Sequence, residues 1–246
     1  EELQLFQGVT RAVDLCAAPG SWSQVLSSKM GHLPECDRRI VAVDLQEMAP
    51  ISGVVLLQGD ITTEATANEV IAQLGGQHAQ LVICDGAPDV TGLHELDEYV
   101  QHQLLLAALN ITTVVLEEGG CFVAKIFRGP NTPFLIAKSE WFFENVTIMK
   151  PKSSRNASME AFIVCQNYRK PPGFVPSMAN PILSLDHTFP DASLVGPAVS
   201  SETVSAPSPS SALDGSRAGK PSGVRRFLAC GDLSGFDSDM CYDKDP

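Results

Sequence analysis

Several things are missing from this chain of 246 residues, and each absence removes a class of protein. No uncharged apolar run approaches the ~18 residues that a membrane-spanning helix needs, so nothing in the sequence reads as a membrane segment. The 7 cysteines include no C-x-x-C pair. Cys16, Cys84, Cys121 and Cys165 sit in apolar, strand-like runs, where cysteine is a small buried hydrophobe. That argues against a disulfide framework and for a reducing, cytoplasmic setting, in which the three Asn-x-Ser/Thr triplets carry no meaning. His32 and Cys36 have no partner at metal-ligand spacing, so no metal is expected. Positive charge is scarce: 17 Lys and Arg face 29 Asp and Glu, a net charge of −12, which argues against loose, non-specific binding of nucleic acid. The basic residues that exist are concentrated, with Lys125, Arg128, Lys138, Lys150, Lys152 and Arg155 against Glu140 and Glu144. This leaves room for a local basic face. No internal repeat is present, and a G-x-G-x-x-G dinucleotide loop is absent.

What is present is organised around Ala12 to Gln24, A-V-D-L-C-A-A-P-G-S-W-S-Q. Val13 to Cys16 is the short apolar run of a buried parallel strand. Pro19-Gly20 breaks it, and Ser21 and Ser23, good N-cap types, open a helix carrying Trp22, Val25 and Leu26. In open α/β sheets such a strand–turn–helix holds a ligand outside the strand's carboxyl end. With one glycine and a bulky Trp22, the turn suits an amino-acid carboxylate better than a pyrophosphate.

Further strands are expected at Ile40–Val43, Val54–Leu57, Leu81–Cys84, Cys121–Phe127, Val146–Met149 and Ala161–Cys165. Helices are expected at Glu64–Leu74 and Leu96–Leu116, the latter stopped by Glu117-Glu118-Gly119-Gly120. Charged residues recur at the strand ends. Asp44 stands about 20 residues past the glycine turn, where an acidic side chain takes ribose hydroxyls. Asp60 follows the third strand, within reach of an adenine amino group, with a helix-cap role as the plain alternative and Thr62 competing for it. Asp85 follows the fourth strand in D-G-A-P-D, which ends at Asp89. His94 and His102 read as surface histidines. Lys125 lies inside C-F-V-A-K-I-F, where a buried lysine is costly unless paired; the plain alternative is an edge-strand lysine snorkelling to water. Glu160 opens the seventh strand. On a doubly wound sheet Asp85, Lys125 and Glu160 converge beside an anion-binding turn, a set able to take a proton from a hydroxyl as it attacks a methyl group. From 169 to 246 the composition turns Pro- and Ser-rich with an acidic end, read as an extended tail in which Val224–Leu228 is a candidate docking segment.

The ordered motifs D-L-C-A-A-P-G-S-W-S-Q, V-A-V-D-L-Q, Q-G-D-I-T, C-D-G-A-P-D-V-T-G, F-V-A-K-I-F-R-G and S-S-R-N-A-S-M-E-A-F resemble the FtsJ/RrmJ-type ribose 2′-O-methyltransferases, and within them the eukaryotic tRNA enzymes of the Trm-seven type. The resemblance runs to about residue 168. It implies a class I, Rossmann-like methyltransferase fold, with a seven-stranded sheet whose last strand is antiparallel. It implies S-adenosylmethionine bound at Gly20, Trp22, Asp44, Asp60 and Asp85, and catalysis by Lys125, Asp85 and Glu160, with Lys125 accepting the proton. Implied substrates are ribose hydroxyls of the tRNA anticodon loop, at the wobble position and two nucleotides before it. Implied partners are a WD-repeat protein and a helical-repeat protein. Family members carry a Lys–Asp–Lys–Glu set. The chain starts at Glu1, not Met, and no lysine precedes Lys29, so the first lysine has no counterpart. The methyltransferase domain, residues 1–168, is therefore expected to lack its N-terminal segment, to bind cofactor and to methylate poorly. The competing expectation is a non-catalytic relative that holds cofactor or partner without turnover.

Overall fold

A computed structural model describes residues 4–88, 93–151, 158–179 and 227–229. The apolar runs pair into one twisted sheet. Its strands are β1 (Arg11–Leu15), β2 (Arg39–Asp44), β3 (Val55–Gln58), β4 (Ala79–Cys84), β5 (Leu116–Phe127), β6 (Phe143–Lys150), β7 (Glu160–Tyr168) and β8 (Phe227–Ala229). The order is β3-β2-β1-β4-β5-β7-β6-β8. Strands β1 to β5 run parallel, β7 is antiparallel to both β5 and β6, and β8 lies parallel to β6 at the edge. This is the class I methyltransferase sheet with its antiparallel seventh strand. The short eighth strand comes from the stretch expected as tail.

The parallel strands are buried on both faces, which is why they read as continuous apolar runs: Val13, Leu15, Ile40, Val41, Val43 and Val82 are at most 1% exposed. Helix α1 (Ser21–Met30) touches β1 and β2 and buries Leu26 and Met30. Helices α2 (Glu64–Gln73), α3 (His94–Val115) and α4 (Thr132–Phe142) form a row in which α2 touches α3 and α3 touches α4. Past Tyr168 the chain continues to pack, with the Phe174 ring edge-on to Phe142 at 4.9 Å and Met178 buried.

Two boundaries differ from expectation. Glu117–Gly120 does not end α3 in a loop; it belongs to β5, as a register shift between Ala79↔Leu116 and Leu81↔Cys121. Gly119, at φ +82, supplies the backbone turn for that irregularity. Nor do Ser21 and Ser23 cap α1. Gly20 is its N-cap residue and makes no side-chain bond, while Ser23 is buried beneath the turn. Asp89, Lys152, Arg155, the His94 side chain and most of 180–246 lie outside the described residues.

Candidate active site

The strand order reverses between β1 and β4, so the loops leaving their carboxyl ends diverge and open a crevice. The chain leaves β1 at Cys16 with φ +55, passes a cis Ala18–Pro19 peptide, and enters α1 through Gly20 at φ +112. Asp44, at the end of β2, braces this turn. Its Oδ2 accepts from the Ala18 N–H at 2.9 Å and its Oδ1 from the Gln46 N–H at 2.8 Å. A carboxylate offers about four acceptor sites, so two remain for a ligand's hydroxyls. A cleft of about 850 Å³ opens here, lined among others by Asp44, Asp60, Asp85 and Lys125.

Asp60 follows β3. Its Oδ1 accepts from the Thr62 N–H at 2.8 Å and the Thr62 hydroxyl at 2.7 Å. It does not cap α2; Thr63 does, accepting from the Thr66 N–H. Asp85 and Lys125 meet: Nζ stands 3.0 Å from Oδ1, with the lysine side chain 15% exposed. Strand β5 lies between β4 and β7, so Lys125 is not an edge-strand lysine. Directly opposite it in register is Phe162, against which the Trp22 ring packs at a centroid distance of 5.3 Å. Gly20 and Trp22 do not line the cleft. A Cβ at Gly20 would sit 2.7 Å from Ile51 Cδ1, and Trp22 reaches Phe162, the register partner of Lys125. Glu160, opposite Phe127, is exposed and shares the alternating face of Lys125, but makes no ion pair with it among the described residues. His102, expected at the surface, is buried on α3, 3.8 Å from the Glu98 carboxylate, and burial lowers its pKa.

Sequence reasoning missed Asp14. It lies in the middle of β1, fully buried, its Oδ2 accepting from the Ser23 hydroxyl at 2.6 Å and its Oδ1 without a partner. Burial pushes its carboxyl up to about 7; the Ser23 bond opposes this, and nearby Asp85 and Asp44 add to it. The signal was available: a charge inside the apolar run V-D-L is the same anomaly that singled out Lys125.

Among the described residues the lining holds four carboxylates, Asp44, Glu47, Asp60 and Asp85, against one ammonium. Such a cleft repels a pyrophosphate and attracts a cation. A sulfonium nucleoside with an amino-acid head meets these demands: positive charge for the acidic lining, ribose hydroxyls for Asp44, and an adenine amino group for Asp60. The cofactor is S-adenosylmethionine, and the residues present fit it.

Fold and cleft together define a class I methyltransferase. Comparison with known proteins makes this specific. The FtsJ-like methyltransferase model matches residues 1–168, and the chain belongs to that family. It is 54% identical over 247 residues to the human tRNA (cytidine(32)/guanosine(34)-2′-O)-methyltransferase, covering 100% of this chain and 67% of the human one. To the Schizosaccharomyces pombe protein of the same name it is 44% identical over 250 residues, covering 98% of this chain and 76% of that one. A crystal structure of a putative ribosomal RNA methyltransferase from Plasmodium falciparum shares the fold, with a TM-score of 0.57 at 24% identity over 65% of this chain and 86% of that one. Among the described residues no helix is long and apolar enough to cross a membrane.

Proposed function

We propose that this chain methylates the 2′-hydroxyl of ribose in the tRNA anticodon loop, at nucleotides 32 and 34, with Lys125 as the proton acceptor. The observation that carries the reading is the Lys125–Asp85 pair, held at 3.0 Å inside an acidic cleft at the sheet's carboxyl edge. The names of relatives 50–54% identical across the whole chain supply the substrate.

Bound S-adenosylmethionine supplies a methyl group on a positively charged sulfur, open to in-line attack by an oxygen. The chain's residues do the rest. Asp44 and Asp60 hold the nucleoside end. Asp85 fixes the position of Lys125 by its ion pair. Lys125 Nζ, after releasing one of its own protons to solvent, takes the proton of the ribose hydroxyl as that oxygen attacks. Phe162, with Trp22 packed on it, lies beside the lysine across the sheet, and Glu160 stands exposed on the same face, toward the solvent where the RNA would enter. A WD-repeat and a helical-repeat partner, and a cytoplasmic location, complete the reading; the five described cysteines are all free, in keeping with it.

Lys125→Met tests it. Transfer of tritiated methyl to unmodified tRNA is expected to fall at least 10²-fold, the scale of losing a positioned general base, with S-adenosylhomocysteine affinity within threefold of wild type. Nuclease digestion and mass spectrometry should place the wild-type product on the ribose of nucleotides 32 or 34. A methyl on a base, or full activity in the variant, would refute it.

A further inference from the structure

The parallel ladder between β4 and β5 ends at Cys84↔Ala124, one residue before the two that form the ion pair. Pairing with β7 carries Lys125 onward, but past that point the β4–β5 ladder no longer sets the spacing of Asp85 from it. Helix α3 brings Gln101 to this point, 1% exposed, on the same face as Leu105 and Ala108. Its side-chain Nε2 donates to the Gly86 carbonyl at 3.1 Å and to the Lys125 carbonyl at 2.7 Å. Both partners are carbonyl oxygens, which only accept, so the nitrogen of the amide must face them. One planar NH₂ group therefore clamps the backbone next to Asp85 and at Lys125 itself.

The clamp sits in a tight frame. A Cβ at Gly86 would lie 2.8 Å from Leu104 Cδ2 and 2.9 Å from Cys16 Cβ, so the tip of β4 is wedged between α3 and the end of β1. One turn earlier on α3, buried Glu98 accepts from the Asn131 N–H at 3.1 Å and packs on Gly129, holding the loop that follows β5. The Gln101 Oε1 is buried and has no partner. A leucine at this position would remove that orphan but leave the Gly86 and Lys125 carbonyls without this donor.

We infer that Gln101 is a positioning residue: its amide sets the spacing of the β4 and β5 tips and thereby the Asp85–Lys125 contact that proton transfer requires. The inference rests on the methyl-transfer reading for its kinetic consequence, but its geometric content stands apart.

The test uses the full chain with Gln101→Met, which keeps the volume and removes both donors, and Gln101→Asn, which keeps the amide on a shorter stem. In Gln101→Met, kcat for tRNA methylation is expected to fall at least tenfold, with KM for S-adenosylmethionine within twofold. Gln101→Asn is expected to fall between Met and wild type. A parallel arm needs no activity: labelling of Lys125 by an amine-reactive acyl ester, followed by mass spectrometry, should quicken at least fivefold in Gln101→Met while Lys29 is unchanged. Wild-type kcat, or unchanged Lys125 labelling, would overturn the inference. So would a uniform rise at all lysines, which marks general unfolding. If the wild-type chain transfers no methyl to tRNA, the methylation reading fails, and the labelling arm alone decides on the clamp.

Discussion

Asp14 makes the most quantitative demand on the structure. Its carboxyl releases a proton near 3.8 in an open chain and near 7 in the fold. Between those values the native state binds more protons than the unfolded state, so raising the pH favours unfolding. The cost of this residue is absent below about pH 4, grows through pH 4–7, and is constant above. Three pH units at ~1.4 kcal/mol each put the ceiling at roughly 4 kcal/mol. Asp14→Asn removes the charge and keeps an oxygen for the Ser23 hydroxyl. It leaves an amide hydrogen pair where Oδ1 has no partner, which takes back about 1–2 kcal/mol. The variant is therefore expected to be about 2–3 kcal/mol more stable than wild type at pH 8 and no more stable than wild type near pH 4.5. Urea unfolding of both proteins without ligand, at half-unit steps from pH 4.5 to 8.5, gives the difference curve, in which the other titrating groups cancel. A difference that is flat with pH, or that favours wild type at high pH, would show that Asp14 is not a buried, proton-holding carboxyl.

Two further outcomes follow from backbone and cap. Gly20→Ala forces a side chain onto φ +112 and a Cβ to within 2.7 Å of Ile51, so it should cost about 1–3 kcal/mol, mostly through backbone strain because the Ile51 tip can move. Since Gly20 directly follows Ala18 and Pro19, which line the cleft, S-adenosylhomocysteine affinity by calorimetry should drop at least tenfold. Thr63→Ala removes the α2 cap and should shift the urea midpoint by an amount worth about 1 kcal/mol while leaving cofactor affinity unchanged.

The strands of the parallel half were legible because burial on both faces leaves no polar alternation: runs such as Ile40–Val43 and Leu81–Cys84 admit little else. The strand-end carboxylates were legible for the complementary reason, as charges placed where apolar runs stop. What could not be read was geometry across elements. Glu117–Gly120 has the composition of a loop, and only the pairing of its flanks, Leu116 and Cys121, with β4 makes it part of β5. Trp22 reads as a pocket residue from its place in the turn, yet its ring finds Phe162, 140 positions away, and turns to the flank. Ser23 reads as a cap and is instead the partner of Asp14. Gln101 was visible only as a polar residue three and four positions before Leu104 and Leu105; nothing in one dimension says that two strand tips meet beneath it.

The site also explains why its least stable features persist. Burial, with a smaller contribution from nearby Asp85 and Asp44, holds Asp14 partly protonated near neutral pH. In an empty cleft this arrangement only destabilises. A cationic ligand reverses the sign, because each nearby carboxylate then interacts with opposite charge in a poorly solvated space. Among the described residues Lys125 is the one ammonium in the lining, and its Nζ is held 3.0 Å from Asp85 Oδ1 at the cleft wall. Acidity of the cleft and placement of the lysine are therefore coupled, because Asp85 both adds to the negative lining and holds the Lys125 ammonium in place.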